Sequence, residues 1–152
     1  MSNEDIPWWQ RVRQAMPADP CTTKLEGCAM NIVDYVSRAG LAALKTLLWS
    51  EVSDNGFTFD DLEFDPYDIT IDIHMVDFLN QVRDFVKANQ VDLAEISPES
   101  AGHDFVLTRN HHGVGFWDRG YGDKGDRLTE AAHAYGDVSL YKGDDGKLYL
   151  TA

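Results

Sequence analysis

From Thr46 to Val82 every formally charged residue is an acid. Glu51, Asp54, Asp60, Asp61, Glu63, Asp65, Asp68, Asp72 and Asp77 run without a Lys or Arg among them. Like charges at this density repel one another, so the stretch must fold with its carboxylates in water, and they set what that surface can bind. Between Glu51 and Asp104 there are 14 acids against Arg83 and Lys87, a net −12 out of the chain's −13. Residues 1–50 carry five acids and five bases, and residues 105–152 carry seven acids and six bases. The asymmetry speaks of partners, not of a reaction.

A chain of 152 residues with 43% hydrophobic side chains is of a size for one domain with a real core, so its acidity does not imply disorder. Ser2–Asp5 is polar and acidic and no apolar run of signal-peptide length follows, which points to a cytoplasmic protein. No stretch approaches the roughly 20 apolar residues a membrane span needs. Cys21 and Cys28 have no His or Cys at metal-ligand spacing and are too few for a disulfide framework, so reduced thiols are expected.

The pattern predicts an α+β fold in a single domain of three parts: a helical part over about 1–53, an acidic strand and helix over about 54–100, and a ββαββ unit with antiparallel sheet over about 101–152. Trp8, Trp9, Val12, Ala15 and Met16 fall at helical intervals up to Pro17. A second helix, capped by Thr22 or Thr23, carries Leu25, Ala29, Ile32, Val33, Val36 and Ala39. Gly40 interrupts or kinks it, and Leu41, Leu44, Leu47 and Leu48 continue its stripe. Asp54-Asn55-Gly56 reads as a turn. Ile69, Ile71 and Ile73 alternate with Asp68, Thr70, Asp72 and His74, a strand with one isoleucine face and one acidic face. A helix through Met75, Phe78, Leu79, Val82, Phe85 and Val86 follows, ending near Asn89. Asp104–Thr108 and Val114–Trp117 are expected to pair as strands around a four-residue loop, Asn110-His111-His112-Gly113. A helix through Leu128 and Ala132 stops at Gly136, and a last hairpin turns at Gly143-Asp144-Asp145-Gly146.

The runs AGHDFVLTRNHHGVGFWDRG, DRLTEAAHAYGDV and LYKGDDGKLYL resemble a group of small, uncharacterised proteins encoded by bacteriophages and prophages. The resemblance covers about the last third of the chain. It implies a phage accessory protein acting inside an infected bacterium, and it carries no activity, cofactor or catalytic residue.

Motifs for chemistry are weak. Gly120-Tyr121-Gly122-Asp123-Lys124-Gly125 has the spacing of a dinucleotide loop, but Asp123 would face the pyrophosphate and no parallel strand follows, so a glycine-rich connection is expected. Asp61, Glu63, Asp65 and Asp72 imitate the spacing of a calcium loop, yet Pro66 stands where such loops need Gly. His111 and His112 are adjacent, and nothing in the spacing forces His103 to meet His133. No metal or other cofactor is therefore expected. His103, Asp104, Asp118 and Arg119 lie at the two ends of one expected hairpin, where an acid–base pair is conceivable. No nucleophile motif accompanies them.

The acidic stretch remains. Carboxylates four apart on a strand, as Asp68 and Asp72 would be, lie roughly 13 Å from each other. That is about two phosphate steps, so the row would imitate a nucleic-acid backbone. The expected activity is non-enzymatic: binding and inhibition of a basic, nucleic-acid-handling bacterial protein through Asp60, Asp61, Glu63, Asp65, Asp68, Asp72 and Asp77. Direct nucleic-acid binding is disfavoured by the charge. Two alternatives stand beside it, a contact surface anchored by Trp8, Trp9 or Trp117, and a small enzyme with a pocket near the 103–118 hairpin.

Overall fold

The computed structural model describes residues 31–53, 56–112 and 115–151. Among them are five α-helices and one two-stranded antiparallel sheet near the C-terminal end, an α+β arrangement as the sequence leads one to expect. Trp8, Trp9, Cys21, Cys28 and the Thr22–Thr23 cap lie outside the described residues.

Helix α1 (Ile32–Ser50) starts where the Asn31 side chain accepts a hydrogen bond from Val33 N at 2.8 Å. Tyr35, Ala39, Ala43, Leu44, Leu47 and Leu48 form its buried stripe. It runs unbroken through Gly40, where a kink was expected. A single glycine costs a helix only about 1 kcal/mol, which the packing of this face offsets.

Helix α2 (Ile73–Ala88) corrects the expected acidic strand. Only Ile69 makes a bridge, parallel to Leu148, with Thr70 N donating to the Leu148 carbonyl at 2.8 Å. Asp72 then accepts from Met75 N at 3.0 Å and caps α2, so the strand ends before its third isoleucine. The isoleucine face is not a core face either: Ile69 is buried, but Ile71 and Ile73 are 38% and 66% exposed. A capping aspartate before a helical stripe outweighed three alternating residues. Asn89 ends the helix as expected.

A short helix α3 (Gln90–Leu93) leads to α4 (Pro98–Arg109), capped by Ser97 with Pro98 in its first turn. This helix replaces the expected strand at Asp104–Thr108. The expected partner strand at Val114–Trp117 is a 3-10 turn over Phe116–Asp118 where it is described, so among the described residues there is no hairpin between His103 and Asp118 and no ββαββ unit. The reason is burial on every side. Ala101, Gly102 and Asp104 through Arg109 are all buried, leaving no helical period to read. At Gly102 an added Cβ would come within 2.0 Å of the Ala39 carbonyl oxygen, so glycine lets α4 press against the backbone of α1.

Helix α4 ends in a hydrogen-bonded reversal, with His112 N donating to the Leu107 carbonyl and His111 N to the Thr108 carbonyl. His111 takes the left-handed conformation, φ +57°, that glycine usually fills. Its ring lies 4.5 Å from that of His133, at the end of α5 (Asp123–His133). Gly136, with φ +74°, stops this last helix as expected. Strands β1 (Ser139–Lys142) and β2 (Leu148–Thr151) pair with Leu140 opposite Leu150. The core joins all these elements around Phe85, whose ring stacks on Phe105 at 4.5 Å and tilts against Phe116. No helix of the described residues is long and apolar enough to cross a membrane.

Candidate functional site

The seven carboxylates expected to bind a partner fall into two kinds. Asp61 and Thr58 bond each other reciprocally, Asp61 Oδ2 accepting from Thr58 N and Thr58 Oγ1 from Asp61 N. Asp65 and Asp68 form a capping box on the 3-10 turn Pro66–Asp68, and Asp72 caps α2. These four shape the backbone. Asp60, Glu63 and Asp77 are exposed and make no side-chain hydrogen bond or ion pair among the described residues. None of the seven is ion-paired within that set. The row expected on one strand face is absent, because the chain turns from the bridge at Ile69 into a helix at Ile73. The same segment exposes apolar side chains that the acids conceal in a charge count: Phe57, Leu62, Tyr67, Ile71 and Ile73.

A second constellation lies at the end of α1 and the middle of α4. A cleft of about 500 Å³ is lined by Trp49, Ser50, Val52, Thr58, His103, Leu107 and His112. The Trp49 indole, 44% exposed, stacks with the His103 imidazole at 5.4 Å between ring centroids. His103 Nδ1 lies 2.9 Å from Asp104 Oδ1. Asp104 is wholly buried and also accepts two bonds from Arg119, from Nε at 3.1 Å and Nη2 at 2.8 Å. Three donors thus satisfy a carboxylate that would be costly to bury alone. The pairing with Asp104 raises the Arg119 guanidinium above its ordinary value. Nearby, burial first and Asp104 second push the Tyr121 phenol upward.

Of the four residues expected to cluster, the structure brings together His103, Asp104 and Arg119. Asp118 forms no ion pair among the described residues and belongs to the 3-10 turn over Phe116–Asp118. His133 meets His111, not His103. The cluster arises from neighbours on one helix and an arginine beyond a turn, not from hairpin ends. Sequence reasoning missed Trp49, Thr58 and His112. Trp49 had an audible signal, a large ring at the very end of an apolar stripe, whereas His112 is placed only by the reversal after α4.

Glu51 sits beside this cleft. Burial raises its carboxyl above the usual range, His112 pulls it back and Asp137 adds to the rise. Among the described residues no three His, Cys, Asp or Glu side chains gather closely enough to hold a metal ion. Comparison of the chain with protein-family models, with curated proteins and with solved structures finds no match in any of the three.

Proposed function

We propose that this chain is a non-enzymatic binding protein, a phage accessory factor acting in the bacterial cytoplasm. It engages a basic, nucleic-acid-handling host protein through residues 57–77. The observation that carries this reading is the set of exposed carboxylates on Asp60, Glu63 and Asp77, unpaired among the described residues and interleaved in sequence with exposed Phe57, Leu62, Tyr67, Ile71 and Ile73. Free carboxylates steer and select a Lys- and Arg-rich surface, and apolar side chains beside them give it grip. A partner that normally holds phosphates has guanidinium and ammonium groups suited to carboxylates.

The test uses Asp60→Asn, Glu63→Gln and Asp77→Asn together, since none of these side chains caps the backbone. The expected outcome is an unchanged fold and loss of capture of a basic bacterial protein that duplex DNA also displaces. Binding should weaken steeply with added salt. Capture that survives both the triple substitution and high salt removes this reading and favours the apolar one. For that second reading the specific observation is Trp117, which is 53% exposed beside the buried Phe116. Trp117→Ala is its test.

A further inference from the structure

We propose that the Trp49–His103 cleft binds a small, uncharged aromatic molecule whose ring carries an O–H or N–H donor. Its volume of about 500 Å³ lies in the range of small-molecule sites. Trp49 and His103 supply stacked aromatic surface, and Val52 and Leu107 supply aliphatic walls, so a planar apolar ring fits the lining.

The polar requirement comes from His103. A buried carboxylate held by Arg119 can only accept, so the neutral imidazole carries its hydrogen on Nδ1, 2.9 Å from Asp104. Nε2 is left as a lone-pair acceptor on a ring that lines the cleft. Asp104 and Arg119 therefore act on the ligand through His103, by fixing its tautomer and its plane, as carboxylates behind functional histidines do. Charge narrows the class further. A chain of net −13 with Glu51 next to the cleft repels carboxylate- and phosphate-bearing ligands. The inference does not rest on the carboxylates proposed to bind a partner, since it requires none of Asp60, Glu63 or Asp77.

Phenol is the smallest probe of this chemistry. Titration calorimetry on the full chain at about pH 8 compares phenol with toluene and benzoate. It is repeated on His103→Phe, which keeps a ring against Trp49 but has no acceptor. Saturable phenol binding is expected, with its advantage over toluene falling about tenfold in the variant, the worth of one hydrogen bond. Trp49→Leu should weaken phenol and toluene alike, by about three- to tenfold. Benzoate should bind at least about tenfold more weakly than phenol. Should His103→Phe fail to fold, ring-nitrogen NMR of the unaltered protein decides. Phenol should shift the His103 Nε2 resonance well beyond Nδ1, and toluene should shift neither. An unchanged phenol-to-toluene ratio in folded His103→Phe, an Nε2 resonance that phenol leaves in place, or the absence of saturable phenol binding overturns the proposal.

Discussion

Arg109 Nε donates to the Gly136 carbonyl at 2.7 Å, so a guanidinium inside the core holds the chain where it leaves helix α5, 27 residues further on. Nη2 reaches the Tyr135 carbonyl at 3.1 Å, and the Phe78, Phe105 and Tyr135 rings surround the cation at 5.1–5.8 Å. Carbonyls at a helix end carry partial negative charge, which is why a cation serves there in place of a carboxylate. Burial lowers this guanidinium to about 10, so it stays charged at neutral pH.

Removing that side chain leaves a cavity and two unpaired carbonyls. Arg109→Ala is expected to lower unfolding free energy by about 3–5 kcal/mol in urea titrations. Arg109→Met keeps most of the volume and buries no charge, so its loss should be clearly smaller. Equal losses for the two would mean that packing contributes nothing at this site.

At the end of α4, His111 occupies a left-handed position, φ +57°, without glycine's freedom. His111→Gly should raise stability by about 0.5–1 kcal/mol despite the loss of the ring contact with His133. His111→Ala keeps the strain and loses the ring, so it should be no more stable than the parent. Chemical denaturation of the three proteins side by side checks the order.

The approach of α4 to α1 leaves no room for a side chain at residue 102. Gly102→Ala would place Cβ 2.0 Å from the Ala39 carbonyl oxygen, a backbone atom that cannot swing aside. The two helices must separate, and a loss of at least about 3 kcal/mol is expected. A Gly102→Ala protein of parental melting temperature would contradict this packing.

Where one face of an element meets water, its type was legible. The α1 positions Ile32, Ala39, Leu44, Leu47 and Leu48, the α2 stripe from Met75 to Val86 and the Gly136 stop all left period or cap signals that local physics preserves. The failures cluster where burial is complete or where two signals compete. Phe105, Val106 and Leu107 are buried together on one helix, and a run buried on all sides reads equally well as a strand. At Ile69–Ile73 the alternation was real, but Asp72 inside it was a cap, and β2 bridges this segment at Ile69 alone among the described residues. The candidate site was legible to the extent of His103, Asp104 and Arg119, which lie close in sequence. Trp49 and Thr58 join them only through the tertiary fold, a relation that spacing along the chain does not encode.

Glu51 supplies a test of the cleft's electrostatics through pH. Its carboxyl is raised above the ordinary value of 4.5, chiefly by burial, with His112 opposing and Asp137 reinforcing the shift. The folded state then holds this proton more tightly than the unfolded chain does. Stability contributed by the group is fully present below 4.5 and is lost as pH rises through the raised folded value. Glu51→Gln cannot ionise, so it should be more stable than the parent at neutral pH, with the gap closing as pH falls from the raised folded value to 4.5. Urea unfolding at several pH values, compared between the two proteins, reads the effect as a difference in midpoint at constant slope. His112→Gln removes the group that opposes the Glu51 shift. Introduced into both the parent and the Glu51→Gln protein, it should widen the gap between them. A gap that persists undiminished in acid would show that glutamine packs better there for reasons unrelated to charge.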